Sequence, residues 1–312
     1  MRILSLFDCP LKEIEGLVPI IKEQGFDAVQ ISPLQKTKDD SSKEWWMLYQ
    51  PISMELGNRI GSREDLKELC DVANNYGVYV IADVVVNHLA GSDNEGSLTP
   101  HKDCDKEILY NPDCWKEKKN MGPKDWDDRY KVTHYCMGLP GLNPRNEVVQ
   151  RKVINMLNEY ADLGVNGFRF DAAKSIALPE EFGENCRFFP NVTYSLKRWI
   201  PIIYGEVLFS DKELIGKYSK YMKVLTTGDA DDRDAIIRFV ENKDSYLSGD
   251  VGKWTANWPV EKVVDDYANW LTPNYPNSLF YARNTYGRSS EDWHAWKSEK
   301  VKRANKVKVL KQ

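Results

Sequence analysis

Four short segments hold the polar side chains best suited to chemistry. ADVVVNH carries Asp83, Asn87 and His88; GFRFDAAK carries Arg169, Asp171 and Lys174; YGEVL carries Glu206; RFVENKD carries Lys243 and Asp244. Each lies in or just after a run apolar enough for a buried strand. A carboxylate in such surroundings is costly without a partner, so Asp171, Glu206 and Asp244 are poor packing residues. One Asp after a strand is often only a helix cap. Three carboxylates at the ends of three strands, in order along the chain, are different: in a closed parallel barrel they converge on one mouth, where catalysis resides. Arg169 stands two residues before Asp171, so both face the same side of their strand, and its fixed charge would keep Asp171 ionised.

The elements that must position these groups follow from the apolar pattern. Short β-branched runs at 3–7, 28–31, 78–86, 167–170, 202–204, 223–226, 235–240 and 278–282 read as strands. Amphipathic stretches at 11–24, 62–76, 146–163, 211–221, 259–270 and 291–306 read as helices, with Ser62, Glu64 and Asp65 marking one start. Strands alternating with helices predict an α/β fold, a (β/α)₈ TIM barrel. Residues 1–88 and 141–312 form the barrel; 89–140, polar and broken by Gly and Pro, form a reduced inserted subdomain after the third strand. Between Thr227 and Asp234 there is no room for a helical crossover, so the sixth helix is expected to be missing.

Composition narrows the field. The chain has 312 residues, enough for one large domain, and a formal net charge of −4, which gives no electrostatic footprint for nucleic acid. Seven Lys or Arg among residues 297–312 read as the solvated face of a closing helix. No apolar run is long enough to cross a membrane, and the N-terminus enters the first strand without a secretory signal, so a cytoplasmic protein is expected. The six cysteines include no CxxC pair, which argues for ordinary thiols rather than zinc. The sequon at Asn191 reads as an idle match, and no GxGxxG or GxxxxGK[ST] loop occurs.

The same segments, together with DAVQISP, WWMLYQPISMELGNRIGS, GFRFDAAKSIALPEEF and FFPNVT, resemble glycoside hydrolase family 13, the α-amylase family, with most likeness to bacterial saccharifying α-amylases. The resemblance implies an endo-acting hydrolase of α-1,4-glucosidic bonds in starch, glycogen or maltooligosaccharides, working with retention. Asp171 would be the nucleophile, Glu206 the general acid/base, and Asp244 the residue that holds the distorted sugar. Retention needs one ionised and one protonated carboxyl about 5–5.5 Å apart. By the same resemblance Tyr49, Gln50, His88, Arg169, Lys174 and Lys243 are substrate contacts, Tyr49 as a stacking platform, while Trp45 and Trp46 are candidates for the groove wall. Rival readings are a transglycosylase or an α-1,6-acting enzyme of the family, or a glucan-binding protein with an impaired site.

Three departures from the family pattern stand out. Lys243 replaces a substrate-contacting histidine, and Ser175 stands where a histidine follows the lysine. Gly141 takes the place of an Asp that helps hold a structural calcium, leaving Asn87 as the side-chain ligand. No cofactor is required for the chemistry, and calcium is doubtful, since losing a carboxylate weakens a hard-cation site. No C-terminal β-sandwich is expected after the barrel. The expected partner is an α-glucan, with no nucleic acid or membrane, bound by a monomer.

Overall fold

The computed structural model describes residues 1–93, 97–248, 255–283 and 291–307, and in it eight parallel strands close into a barrel. They are β1 (Arg2–Leu6), β2 (Ala28–Ile31), β3 (Tyr79–Val84), β4 (Gly167–Phe170), β5 (Ile202–Glu206), β6 (Lys223–Leu225), β7 (Ile236–Phe239) and β8 (Ser278–Tyr281). Each strand pairs with its chain neighbour, and β8 closes on β1 with Leu279 opposite Ile3. The apolar runs form parallel strands because both faces are covered. In β4, alternation sends Phe168 and Phe170 outward onto Tyr160 and Phe189, with ring centroids 6.1 and 5.4 Å apart. Arg169, between them, carries a nearly fully buried side chain that bonds the carboxylates of the neighbouring strands. Register places it opposite Asp83 on β3 and Tyr204 on β5.

The outer helices start where the caps dictate. Ser62 accepts from the Asp65 amide while Asp65 accepts from the Ser62 amide, opening the helix Arg63–Tyr76. Asn146 caps Glu147–Asp162 through the amides of Val148 and Val149. Between β6 and β7 there is only one 3₁₀ turn, Arg233–Ala235, so the sixth helix is indeed missing. The closing helix differs from the sequence expectation. It is split into a 3₁₀ stretch, Glu291–Lys297, and an α-helix, Glu299–Asn305, because Ser298 turns its hydroxyl to cap Val301. The stretch expected as one helix at 259–270 passes from α-helix (Val260–Asp266) into a π-turn (Tyr267–Leu271). Within the basic tail, Lys300 and Lys302 pair with Asp265 and Glu23; residues 308–312 lie outside the described residues.

Two regions frame the mouth. An antiparallel pair, Gln35–Thr37 with Pro51–Leu56, holds a 3₁₀ turn, Trp45–Tyr49, between its strands; the sequence reading did not include this pair. The irregular stretch after β3 contains the short helices Lys106–Leu109 and Arg129–His134. Backbone bonds close it: Leu142 donates to Asn87 at 2.8 Å, joining the flanks of the stretch, and Lys116, from its middle, donates to Gly141 at 2.8 Å. Arg129 adds a fork to Glu181 and a bond to the Lys174 carbonyl, in the loop beyond β4. All six cysteines are buried free thiols, and no described helix is long and apolar enough to cross a membrane.

Candidate active site

One guanidinium organises the mouth. Arg169 Nη1 donates to both oxygens of Asp83 at 2.7 and 2.9 Å and to Asp171 Oδ1 at 2.6 Å, and Nη2 meets Glu206 Oε1 at 2.5 Å. Its side chain is 2% exposed, so the charge is little screened by water. One positive charge cannot neutralise three buried carboxyls, and their affinities for protons separate. Burial opposes ionisation of Asp171, but the charges of Arg169 and Lys243 outweigh it and hold the carboxyl below its ordinary range. For Glu206 burial wins: against Arg169 and Lys243, with Asp244 and Asp171 repelling a further negative charge, its pKa is pushed up to about 7. Burial also raises Asp83, which receives a 2.7 Å bond from the Tyr49 hydroxyl. The Ala172 amide reaches Glu206 Oε2 at 3.2 Å, and Ala172 itself lies in the left-handed region at φ 47°, where the chain turns sharply after Asp171. Gly205, beside this turn, has no space for a side chain; a Cβ there would lie 2.7 Å from that of Ala173.

The opposite wall comes from the end of β7. Asn242 caps the short helix Lys243–Leu247, so Lys243 and Asp244 occupy its first turn. The Lys243 ammonium turns inward: it lies 2.8 Å from Asp244 Oδ1, 3.9 Å from Asp171 Oδ1 and 4.3 Å from the centre of the Tyr49 ring. Burial works against that charge, yet Asp244, Glu206 and Asp171 raise its pKa above the ordinary lysine value. Tyr49 is therefore not a bare platform: Phe7 stacks with it at 6.3 Å, and a sugar on the lysine side would lie beside an ammonium. His88 Nε2 is 2.9 Å from the Tyr49 carbonyl, which can only accept, so Nε2 carries a hydrogen; burial lowers the pKa and keeps the ring neutral. Gln50 is buried with an Oε1 that has no protein partner among the described residues. Trp45 packs on Phe7 and Tyr49, and both Trp45 and Trp46 are half-buried.

Two of the expected contacts bond other protein groups. Lys174 bonds the carbonyls of Leu208 and Phe209 at 3.2 and 3.0 Å, bracing the loop after β5. Asn87 also departs from expectation as a metal ligand: its Oδ1 accepts from the ammonium of Lys116 at 2.7 Å. Among the described residues no group of three His, Cys, Asp or Glu could hold a metal ion. Sequence reasoning missed Lys116 and also Glu241, which forms a buried fork with Arg283 at 2.8 and 3.1 Å. That pair ties the end of β7 to the end of β8, beside Asn242 and Lys243. The only early signal was an acid at a strand end.

Comparison with known proteins adds an independent line. The model of the α-amylase catalytic domain matches residues 11–229. An α-amylase of Clostridium acetobutylicum is 38% identical over 230 residues, covering 71% of this chain and 30% of that protein. One from Butyrivibrio fibrisolvens is 29% identical over 248 residues, covering 70% of this chain and 25% of that protein. The chain thus spans about a third or less of these relatives' length. Among solved structures, wild-type α-amylase I from Eisenia fetida superimposes with a TM-score of 0.74 over 94% of this chain and 69% of that one, at 19% identity, a likeness of fold. With the family model covering most of the barrel and the Clostridium relative well aligned, the chain belongs to the α-amylase catalytic-domain family, glycoside hydrolase family 13.

Proposed function

We propose that this chain is a retaining hydrolase of α-1,4-glucosidic bonds in starch, glycogen or maltooligosaccharides. The observation that carries the reading is the shared guanidinium. Arg169 grips Asp171 and Glu206 on its two terminal nitrogens, one carboxyl held ionised and the other raised to about 7. Two carboxyls on adjacent nitrogens stand close together, which suits the retaining separation of about 5–5.5 Å better than the inverting one of about 6.5–9.5 Å. In the first step Asp171 attacks the anomeric carbon, the glycosidic C–O bond breaks, and Glu206 passes its proton to the departing oxygen. In the second, Glu206 takes a proton from water, whose oxygen attacks the same carbon and releases Asp171. Asp244, braced by Lys243 and Asn242, faces the developing positive charge of the sugar. The chain between β3 and Glu147–Asp162, with the inserted subdomain at 89–140, forms one side of the cleft in this reading.

The test is to incubate the purified protein with soluble starch and with maltooligosaccharides and to follow product lengths and anomeric configuration. Net retention and loss of most activity in Asp171→Asn are expected. Glu206→Gln should also lose most activity on starch but keep far more on an aryl maltoside whose leaving group needs no proton. Inverted product, or near-normal turnover of starch by either variant, rejects the assignment.

A further inference from the structure

The calcium position that the family suggests does not fit this chain. Asn87 and Ser175, from the ends of β3 and β4, are 2% and 1% exposed, and their oxygens converge on one nitrogen, Lys116 Nζ, at 2.7 and 2.8 Å. Lys116 comes from the irregular stretch between them in the sequence, so one ammonium joins three segments. Among the described residues no carboxylate bonds it. Two neutral oxygens can satisfy an ammonium, whereas Ca²⁺ takes about six to eight oxygens, several usually charged. The stem needs space as well as the head, and Gly141 supplies it: a Cβ at 141 would stand 2.8 Å from Lys116 Cδ and 3.3 Å from its Cβ and Cγ. Backbone bonds fix the stem, since Lys116 donates to Gly141 and Leu142 donates to Asn87.

We propose that the Lys116 amine is a built-in donor that takes the place of a bound calcium ion and makes this chain independent of divalent metal. Gly141 and Lys116 are two halves of one exchange: an acid is absent where the lysine stem passes, and the lysine nitrogen supplies the partner that the two oxygens would otherwise find in a metal. Burial pulls the pKa of that nitrogen down to about 7, so what it brings is hydrogen bonds rather than a fixed charge. The consequence is mechanical. Asn87 is next to His88, and Ser175 follows Asp171 by four residues, so the clamp holds two sides of the mouth without an ion that dilution or chelation can remove. The inference concerns the metal and stands whether or not the α-1,4-glucan reading is right.

The experiment measures thermal unfolding and calcium binding at neutral pH for the parent, Lys116→Met and the double variant Lys116→Ala/Gly141→Asp. In the parent, Tm is expected to be the same in excess chelator and in millimolar Ca²⁺, with no calorimetric binding. Lys116→Met keeps the stem but strands two buried oxygens, so its Tm should fall by several degrees and calcium should not restore it. The double variant opens the space and adds a carboxylate, and its Tm should rise with Ca²⁺. Chelator sensitivity or stoichiometric calcium in the parent, or a parent-like Tm in Lys116→Met, overturns the proposal. A folded double variant that ignores calcium shows that these oxygens are not a cation site and overturns it equally.

Discussion

Replacing Lys243 by methionine should move the whole pH–rate profile upward. The Lys243 ammonium stands 3.9 Å from Asp171 Oδ1, and both side chains are little exposed, at 12% and 8%. At an effective dielectric of about 20, a unit charge at that distance is worth about 4 kcal/mol, or about three pKa units. That is a ceiling, because the mouth opens to water and Asp171 keeps Arg169; a shift of about one unit is a realistic expectation. The sign is the same for both working carboxyls. Lys243 favours the ionised form of Asp171 and, more weakly than Arg169, of Glu206. Removing the charge raises both values. The nucleophile must be ionised, so the acid limb moves to higher pH; the acid must be protonated, so the alkaline limb moves the same way.

The assay is kcat/KM on a soluble maltooligosaccharide from about pH 4 to 9, which reports the free enzyme, for the parent, Lys243→Met, Lys243→His and Lys243→Arg. Met and neutral His should shift together, while Arg, which keeps the charge, should stay near the parent. Superimposable curves for Met and parent would refute the electrostatic role. Equal shifts for Met and Arg would show that shape near Tyr49, not charge, had been disturbed.

Three further outcomes are expected. Glu206 titrates near 7 in the folded chain against 4.5 as its ordinary value, so the stability linked to its protonated form is full below 4.5 and is lost as pH rises through 7. Glu206→Gln should therefore be more stable than the parent by about 2–3 kcal/mol above pH 7 and by little at pH 4.5; urea titrations at the two pH values check this, and a pH-independent difference contradicts it. Glu241→Ala, which leaves Arg283 charged and buried, should lose about 3–5 kcal/mol, read by the same titration; a loss under 1 kcal/mol would mean Asp292 suffices as partner. Gly141→Ala should cost about 1–3 kcal/mol through overpacking against the Lys116 stem, and a change within error would show that the stem can yield.

The barrel was legible because its strands are apolar runs buried on both faces, a pattern that few other structures produce. Strand positions such as 28–31 and 167–170 coincide with the residues that form β2 and β4. Side chains at strand ends inherit that clarity, which is why the sequence alone brings Asp171, Glu206, Asp244 and Arg169 to one mouth. Less legible were groups whose position depends on irregular backbone. Lys174 lies in the 3₁₀ turn Ala173–Ser175 that follows Ala172 in its left-handed conformation, and counting residues from Asp171 cannot tell which way the chain leaves that residue. Lys243 could have faced either solvent or pocket; its direction is set by the Asn242 cap, which places it in the first turn of a short helix.

Lys116 was the least legible residue, for a reason that bears on how lost motifs are read. It sits in WKEKKN, where nothing in the local pattern separates it from Lys118 and Lys119. Gly141, by contrast, is conspicuous, because it stands where the family pattern has a carboxylate. The coordinates place these two residues against each other across a backbone hydrogen bond. Removing an acid would leave buried oxygens of Asn87 and Ser175 with no cation, a cost of about 1–3 kcal/mol for each unsatisfied group; a lysine whose stem fits only above glycine removes that cost. The apparent defect and the unremarkable lysine are therefore energetically linked. A glycine that replaces a metal-binding acid should prompt a search for a basic side chain brought in from elsewhere in the chain before the site is judged lost.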